Sequence, residues 1–190
     1  RDPARAAAAA KKSGIAKIHS SYDDLLADPD IDAVYIPLPN SLHAKWSIQA
    51  LQAGKHVLCE KPITCNADEA EQVAQVANQA GKIVAEAMHS RYHALADRVV
   101  ELIRGGAIGQ VKHVEAHAFI IPGANDIRWQ YETGGGALMD LGVYAIAILR
   151  SLAGCEPVEV TQSTIKVAKP QVDRWVDASL AFPGGMTGRV

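Results

Sequence analysis

The sequence predicts an α/β protein: a parallel, doubly wound sheet that lacks its first strands, followed by an α+β part with an open, mainly antiparallel sheet. Three observations carry this expectation. Short apolar runs alternate with helical stretches of about 12 residues, which is the spacing of βαβ units. Runs such as AVYI and HVLC are apolar at successive positions, as strands covered on both faces are. After about residue 90 the strands follow one another without intervening helices, the grammar of an antiparallel sheet.

Taken in order, Asp2 to Ser13 is an alanine-rich helix with Pro3 in its first turn and Gly14 behind it. IAKIH (15–19) reads as a short strand, YDDLLA (22–27) as a helical turn, and IDAVYIPLP (31–39) as an apolar strand closed by prolines. Ser41 to Ala53 is a helix with Gly54 just past it, KHVLCEK (55–61) a strand, Ala67 to Ala80 a helix stopped by Gly81, and KIVAEAM (82–88) a strand. Ligands of parallel sheets sit outside the carboxyl ends of the strands, so IPLPN and CEKP belong together at one edge. A helix over Leu95 to Arg104 then leads to Gly105-Gly106, a strand over QVKHVEAHAFI (110–120), a polar loop, a glycine triplet, one long helix and two long alternating strands. The change of grammar puts a domain boundary near Ala87 to Tyr92, dividing the chain into 1–88 and 89–190. Because it opens on a helix cap and closes in the strand-like GMTGRV, the chain reads as an internal segment of a longer protein, truncated at its C-terminus.

Composition narrows the partners. With 48% hydrophobic and 21% charged residues in 190, the chain is neither disordered nor membrane-embedded in character, and can bury one large or two small cores. A net charge of -2, with Lys and Arg scattered, offers no field for nucleic acid. The partner expected is a neutral small molecule or none. No apolar run approaches the roughly 20 residues of a membrane helix. Cys59, Cys65 and Cys155 are odd in number and lack CxxC spacing, which points to packed thiols in a reducing, cytoplasmic compartment.

Two stretches invite chemistry. LCEKP (58–62) puts a carboxylate, an amine and a proline at the mouth of a buried strand. Such charges are costly unless paired or used, although taken alone the three read as an ordinary solvated strand end. GGGALMDLGVY (134–144) joins three glycines, which let a backbone approach a ligand closely, to an apolar helix with Asp140 and Tyr144 four residues apart on one face. A phenol satisfied by a neighbouring carboxylate inside a core accounts for that pair equally well. The triplet is not a dinucleotide fingerprint, because no strand precedes it and Met139 stands where a glycine belongs. His113, Glu115 and His117 alternate along a strand and share a face. Val114, Ala116, Ala118 and Ile120 then occupy the other face, so the histidines mark the wetter or subunit-facing side and no metal is expected. His89 and His93 fall at the boundary, where solvation accounts for them.

IPLPNSLH, GKHVLCEKP and GGGALMDLGVY, in this order and at these separations, resemble the glucose-fructose oxidoreductase, inositol dehydrogenase and rhizopine catabolism (Gfo/Idh/MocA) family of nicotinamide-dependent oxidoreductases. The resemblance covers essentially the whole chain. It implies an N-terminal Rossmann domain, whose glycine-rich loop would precede this chain, and a C-terminal α/β domain whose open sheet forms a dimer face. By the same resemblance Lys61 reaches the reacting carbon's oxygen near the nicotinamide, Glu60 contacts the nicotinamide ribose, and Pro62, commonly cis, fixes the turn. Pro39, Asn40 and His43 match the segment lining the cofactor, and Asp140 the acid of the second motif. Tyr144 replaces the histidine of many members, which resembles the aldose and dihydrodiol dehydrogenase branch. Asp126, Ile127 and Arg128 within DIRWQYET resemble sugar-acting members of it, and Arg128 and Trp129 would face the substrate.

The chemistry implied is hydride transfer between a sugar or diol and nicotinamide, with Tyr144 as acid or base, Lys61 drawing its phenol toward the working range, and Asp140 orienting the pair. Arg1, with Arg5 as helper, stands where a ribose 2'-phosphate would be met, so NADP is expected, with NAD the alternative. A nicotinamide-sensing regulatory protein on the same fold, or a fragment without a complete cofactor site, are the competing readings.

Overall fold

The computed structural model describes residues 2–190; Arg1, the residue expected to meet a 2'-phosphate, lies outside the described residues. Asp2 caps helix α1 (Pro3–Ser13), its carboxylate accepting from the amides of Ala4 and Arg5, and Gly14 closes it in the left-handed conformation. IAKIH does not form the expected strand. Ile15 and Ile18 are half exposed, and the segment is held by side chains instead, with Lys17 and His19 both on the Asp28 carboxylate. Without a backbone partner an apolar pentapeptide has no ladder to join. Helix α2 (Tyr22–Ala27) follows, capped by Ser21.

Strands β1 (Ala33–Ile36), β2 (His56–Cys59) and β3 (Val84–Glu86) form a parallel sheet in that order. Helix α3 (His43–Gln52) and helix α4 (Ala67–Ala80) are the crossovers. Asn66 accepts from the Glu69 amide at 2.9 Å, Asp68 and Glu69 occupy the first turn, and Gly81 ends α4 with positive φ, so its bounds follow from its capping residues. Ile36, Val57 and Cys59 are buried with Ala50 and Leu51 of α3 and Val73 and Ala77 of α4. The opposite face of the sheet leaves Tyr35 54% and Leu58 44% exposed. The strands therefore alternate in burial where coverage of both faces was expected.

Helix α5 (Ala94–Arg104) is capped by His93, whose Nδ1 accepts from the Leu95 amide. A second, four-stranded sheet has the order β4 (His113–Glu115), β7 (Thr187–Arg189), β6 (Val172–Ala181), β5 (Glu159–Lys169). Its β5–β6 and β6–β7 pairs are antiparallel, while β4 and β7 run parallel. The strand expected over 110–120 is thus only three residues long, because its partner β7 pairs only through Arg189, and Phe119, Ile120 and Ile121 are exposed. Helix α6 (Val143–Ala153) packs Ala145 and Leu149 on Ala116, Leu180 and Phe182. Gly188 leaves the space that the Leu149 side chain fills. His113 and Glu115 lie on the far side of this sheet beside Thr187 and Arg189, a polar face.

A π-helical turn, Leu138–Gly142, leads into α6. By length and composition the stretch Tyr131–Ala153 could cross a membrane, but Gly134 and Gly136 take positive φ and separate the short turn Tyr131–Thr133 from the helix that leads into α6. Its α6 portion is a layer on the second sheet.

Candidate active site

The two halves meet above the carboxyl ends of β1 and β2. A cleft of about 350 Å3 there is lined by Tyr35, Pro39, Asn40, Glu60, Lys61 and the Gly134-Gly135 backbone, with Arg128 and Asp140 on the far wall. The topology explains this convergence: residues that leave adjacent parallel strands emerge side by side. The Lys61–Pro62 peptide is cis.

Lys61 crosses the cleft. Its ammonium donates to the Asp140 backbone carbonyl and pairs with Asp140 Oδ1 at 3.0 Å, the two side chains being 13% and 14% exposed. The same ammonium stands 4.8 Å from the centroid of the Tyr144 ring. Arg128 Nε donates to Asp140 Oδ2 at 2.8 Å, and its Nη1 reaches Asp126. A chain of alternating charge, Lys61, Asp140, Arg128, Asp126, therefore closes the cleft along its far wall. Asp140 and Tyr144 share a face, as their spacing predicts, and Lys61 is what they share.

The phenol of Tyr144 departs from expectation. Its pKa is raised, by burial first and then by the charges of Glu60, Asp140 and Glu86. Lys61 was expected to draw it down. Here the ammonium is engaged by Asp140, and burial together with three carboxylates outweighs it. The edge of the ring meets His89 at 5.7 Å between centroids, a neighbour that solvation at the boundary did not suggest.

Other expected residues fall into place differently. Glu60 lines the cleft and accepts from the Tyr35 hydroxyl and the Lys61 amide. Pro39 lines the same wall. Asn40 donates its side-chain amide to the Gly134 carbonyl at 2.9 Å, joining the first half of the chain to the glycine triplet. His43 is fully buried, with Nδ1 2.7 Å from the Pro62 carbonyl and Nε2 2.7 Å from the Leu38 carbonyl. It has no surface to offer a cofactor, and instead ties together the two loops that do line the cleft. Trp129 turns its indole N–H to the Gly123 carbonyl and lines a neighbouring cavity of about 130 Å3. The glycine triplet is close-packed by protein. A Cβ at Gly134 would stand 2.8 Å from Asn40 Cβ, and one at Gly135 2.5 Å from the Arg128 carbonyl. Tyr35 and Asp173 escaped the sequence reading, and His89 entered it only as a solvated residue at the boundary. Only Tyr35 left a signal there, as the single hydroxyl in an apolar strand beside the prolines.

Among the described residues no cluster of three or more His, Cys, Asp or Glu side chains has a metal-holding arrangement. Glu115 is instead bridged by His113 and His117, which hold its carboxyl below the usual range.

Comparison with known proteins identifies relatives of both halves of the chain. Residues 1–88 match the family described as "Oxidoreductase family, NAD-binding Rossmann fold", and residues 96–190 the "GFO/IDH/MocA C-terminal domain". The chain is 42% identical to D-xylose 1-dehydrogenase (NADP(+)) 2 of Haloferax volcanii, over all of this chain (100%) and 58% of that protein. It is 32% identical to mouse trans-1,2-dihydrobenzene-1,2-diol dehydrogenase, over 99% of this chain and 56% of that one. The crystal structure of aldose-aldose oxidoreductase from Caulobacter crescentus complexed with glycerol superposes with a TM-score of 0.90 at 32% identity, covering 99% of this chain and 59% of that one. The chain thus spans somewhat over half the length of each of these three relatives.

Proposed function

Because this chain belongs to the Gfo/Idh/MocA oxidoreductase family, with its NAD-binding Rossmann fold, we propose that it carries the nicotinamide- and substrate-facing site of an enzyme that moves hydride between NADP, or alternatively NAD, and a sugar or related diol. Residues 1–88 serve as the nucleotide-binding part and 89–190 as the substrate-binding part. The observation that carries the reading is the reach of Lys61, from the cofactor side, to Asp140 and the Tyr144 ring on the substrate side. NADP is preferred because, by sequence position in the family resemblance, Arg1 and Arg5 match the place of a ribose 2'-phosphate contact, and because the Haloferax relative bears that cofactor in its name.

The cleft fits a nicotinamide riboside. Proline rings and the Tyr35 side chain offer a flat apolar wall, and the Glu60 carboxylate can accept from ribose hydroxyls. When bound, the nicotinamide supplies or accepts the hydride. The chain's own residues bind and orient. Lys61 holds a carbonyl or hydroxyl oxygen by charge-assisted donation. Asp140, fixed between Lys61 and Arg128, has its carboxylate poised for the substrate's remaining hydroxyls. Tyr144, like any phenol, keeps its proton at neutral pH, and its raised pKa keeps it further from ionising, so it is set to donate to a carbonyl oxygen during reduction. Oxidation needs the phenolate and should rise with pH.

The three cysteines are free and Cys59 is buried with its thiol pushed up to about 11, which fits inert packed thiols in a cytoplasmic setting. The polar outer face of the second sheet is the surface we assign to a homodimer. The reading is tested by a panel of aldoses, keto sugars and diols with NADP and NADPH. Absence of turnover with every pair would reject it.

A further inference from the structure

Asp140 and Tyr144 both ride on the helical segment 138–153, yet that segment brings no cap of its own. Ala137, at its start, offers no side-chain acceptor, and Gly142 offers none at the junction with α6. The acceptor comes from β6: Asp173 Oδ2 takes the Leu138 amide at 2.7 Å. Its Oδ1 occupies the space a Cβ on Gly136 would need, so the third glycine of the triplet is what admits the carboxylate. Gly136 has φ +124°, a conformation that side-chain-bearing residues rarely adopt. Asp173 itself sits at an irregularity. It pairs with Val167, and the β5–β6 register shifts on both sides of that residue; bulges of this kind re-aim a side chain. A carboxylate at the first amide of a helix satisfies an otherwise orphaned donor and faces the positive end of the helix dipole.

We propose that Asp173 is a positioning residue of this site: from strand β6 it anchors the start of the helical segment and so sets where Asp140 and Tyr144 stand beneath Lys61. Its effect on turnover rests on the oxidoreductase reading above, whereas the anchoring does not. The test compares Asp173→Ala and Asp173→Asn with the unmodified protein, by amide hydrogen exchange and by steady-state kinetics. Alanine removes the acceptor. Asparagine keeps a carbonyl oxygen at the same place, so most of the anchoring should survive it. In Asp173→Ala, protection at the amides of residues 138–142 should fall about tenfold or more, with the parallel sheet unaffected. The turnover number should drop roughly tenfold while the KM for cofactor stays within about twofold, and Asp173→Asn should recover most of both losses. Unchanged protection at Leu138 would overturn the proposal, as would a loss spread evenly over the chain, because Asp173 would then support the fold as a whole. Alanine and asparagine variants that behave alike would overturn it too. If the unmodified protein turns over no substrate, the oxidoreductase reading fails, and the exchange data still decide the anchoring.

Discussion

Tyr144 and Lys61 are ordinary residues made unusual by what surrounds them. The phenol is held above its usual range by burial and by three carboxylates, so its ionisation moves further from neutral pH. Replacing Tyr144 with Phe should leave cofactor affinity nearly intact and lower turnover roughly 100-fold or more. Lys61→Met should do similar damage. The double variant should lose far less than the product of the two if both act on one oxygen, as proposed above; losses that simply multiply would separate the two residues. The sign of the pH dependence follows from the raised pKa. Below it the proton donor is intact, so reduction should hold through the neutral range and decline only as pH passes above the ordinary phenol value of 10.0. A reduction rate that falls between pH 6 and 8, measured at saturating substrate, would assign the proton to another group.

At the scale of elements, the helices were the most legible part of the chain because their ends are written in side chains. Asn66 and Gly81 bound α4, and Asp2 and Gly14 bound α1, from both sides. Asn66→Ala removes the acceptor for the Glu69 amide and should cost about 1 kcal/mol in urea unfolding, with activity per folded molecule unchanged. Strands were less legible. IAKIH has the composition of a strand but no partner, and QVKHVEAHAFI pairs over only three residues with β7. A strand is defined by a neighbour that its own residues do not name, so apolar alternation alone overstates it.

For the whole molecule, the contact between halves is as specific as either half. Asn40 meets the Gly134 carbonyl, and Gly134, with φ +73°, leaves no room for a Cβ beside Cys65 Sγ and Asn40. Gly134→Ala should therefore push IPLPN away from the triplet, raising the KM for substrate and lowering turnover together while the parallel sheet keeps its stability. Unaltered kinetics would show that the cleft does not depend on this approach. The open, polar face of the second sheet should bring two copies together, so sedimentation at micromolar concentration should report a dimer. A monomer there would withdraw that assignment.

What the sequence determined by itself was the alternation of elements, the family, and the residue types at the site, because capping residues, apolar period and the spacing of EKP to GGG are local and survive without coordinates. Which of those residues face the cleft was decided only by the tertiary structure. His43 and Lys61 lie in neighbouring motifs, yet one is sealed between two carbonyls and the other spans the cleft. The glycine triplet, whose Gly134-Gly135 backbone lines the cleft, also makes room for Asn40, the Arg128 carbonyl and Asp173. The Tyr144 phenol shifts upward because burial and the field of Glu60, Asp140 and Glu86 add at one point in space, a sum over residues up to 84 positions away in the chain. Charge and close packing depend on distance in three dimensions, and a sequence records order alone.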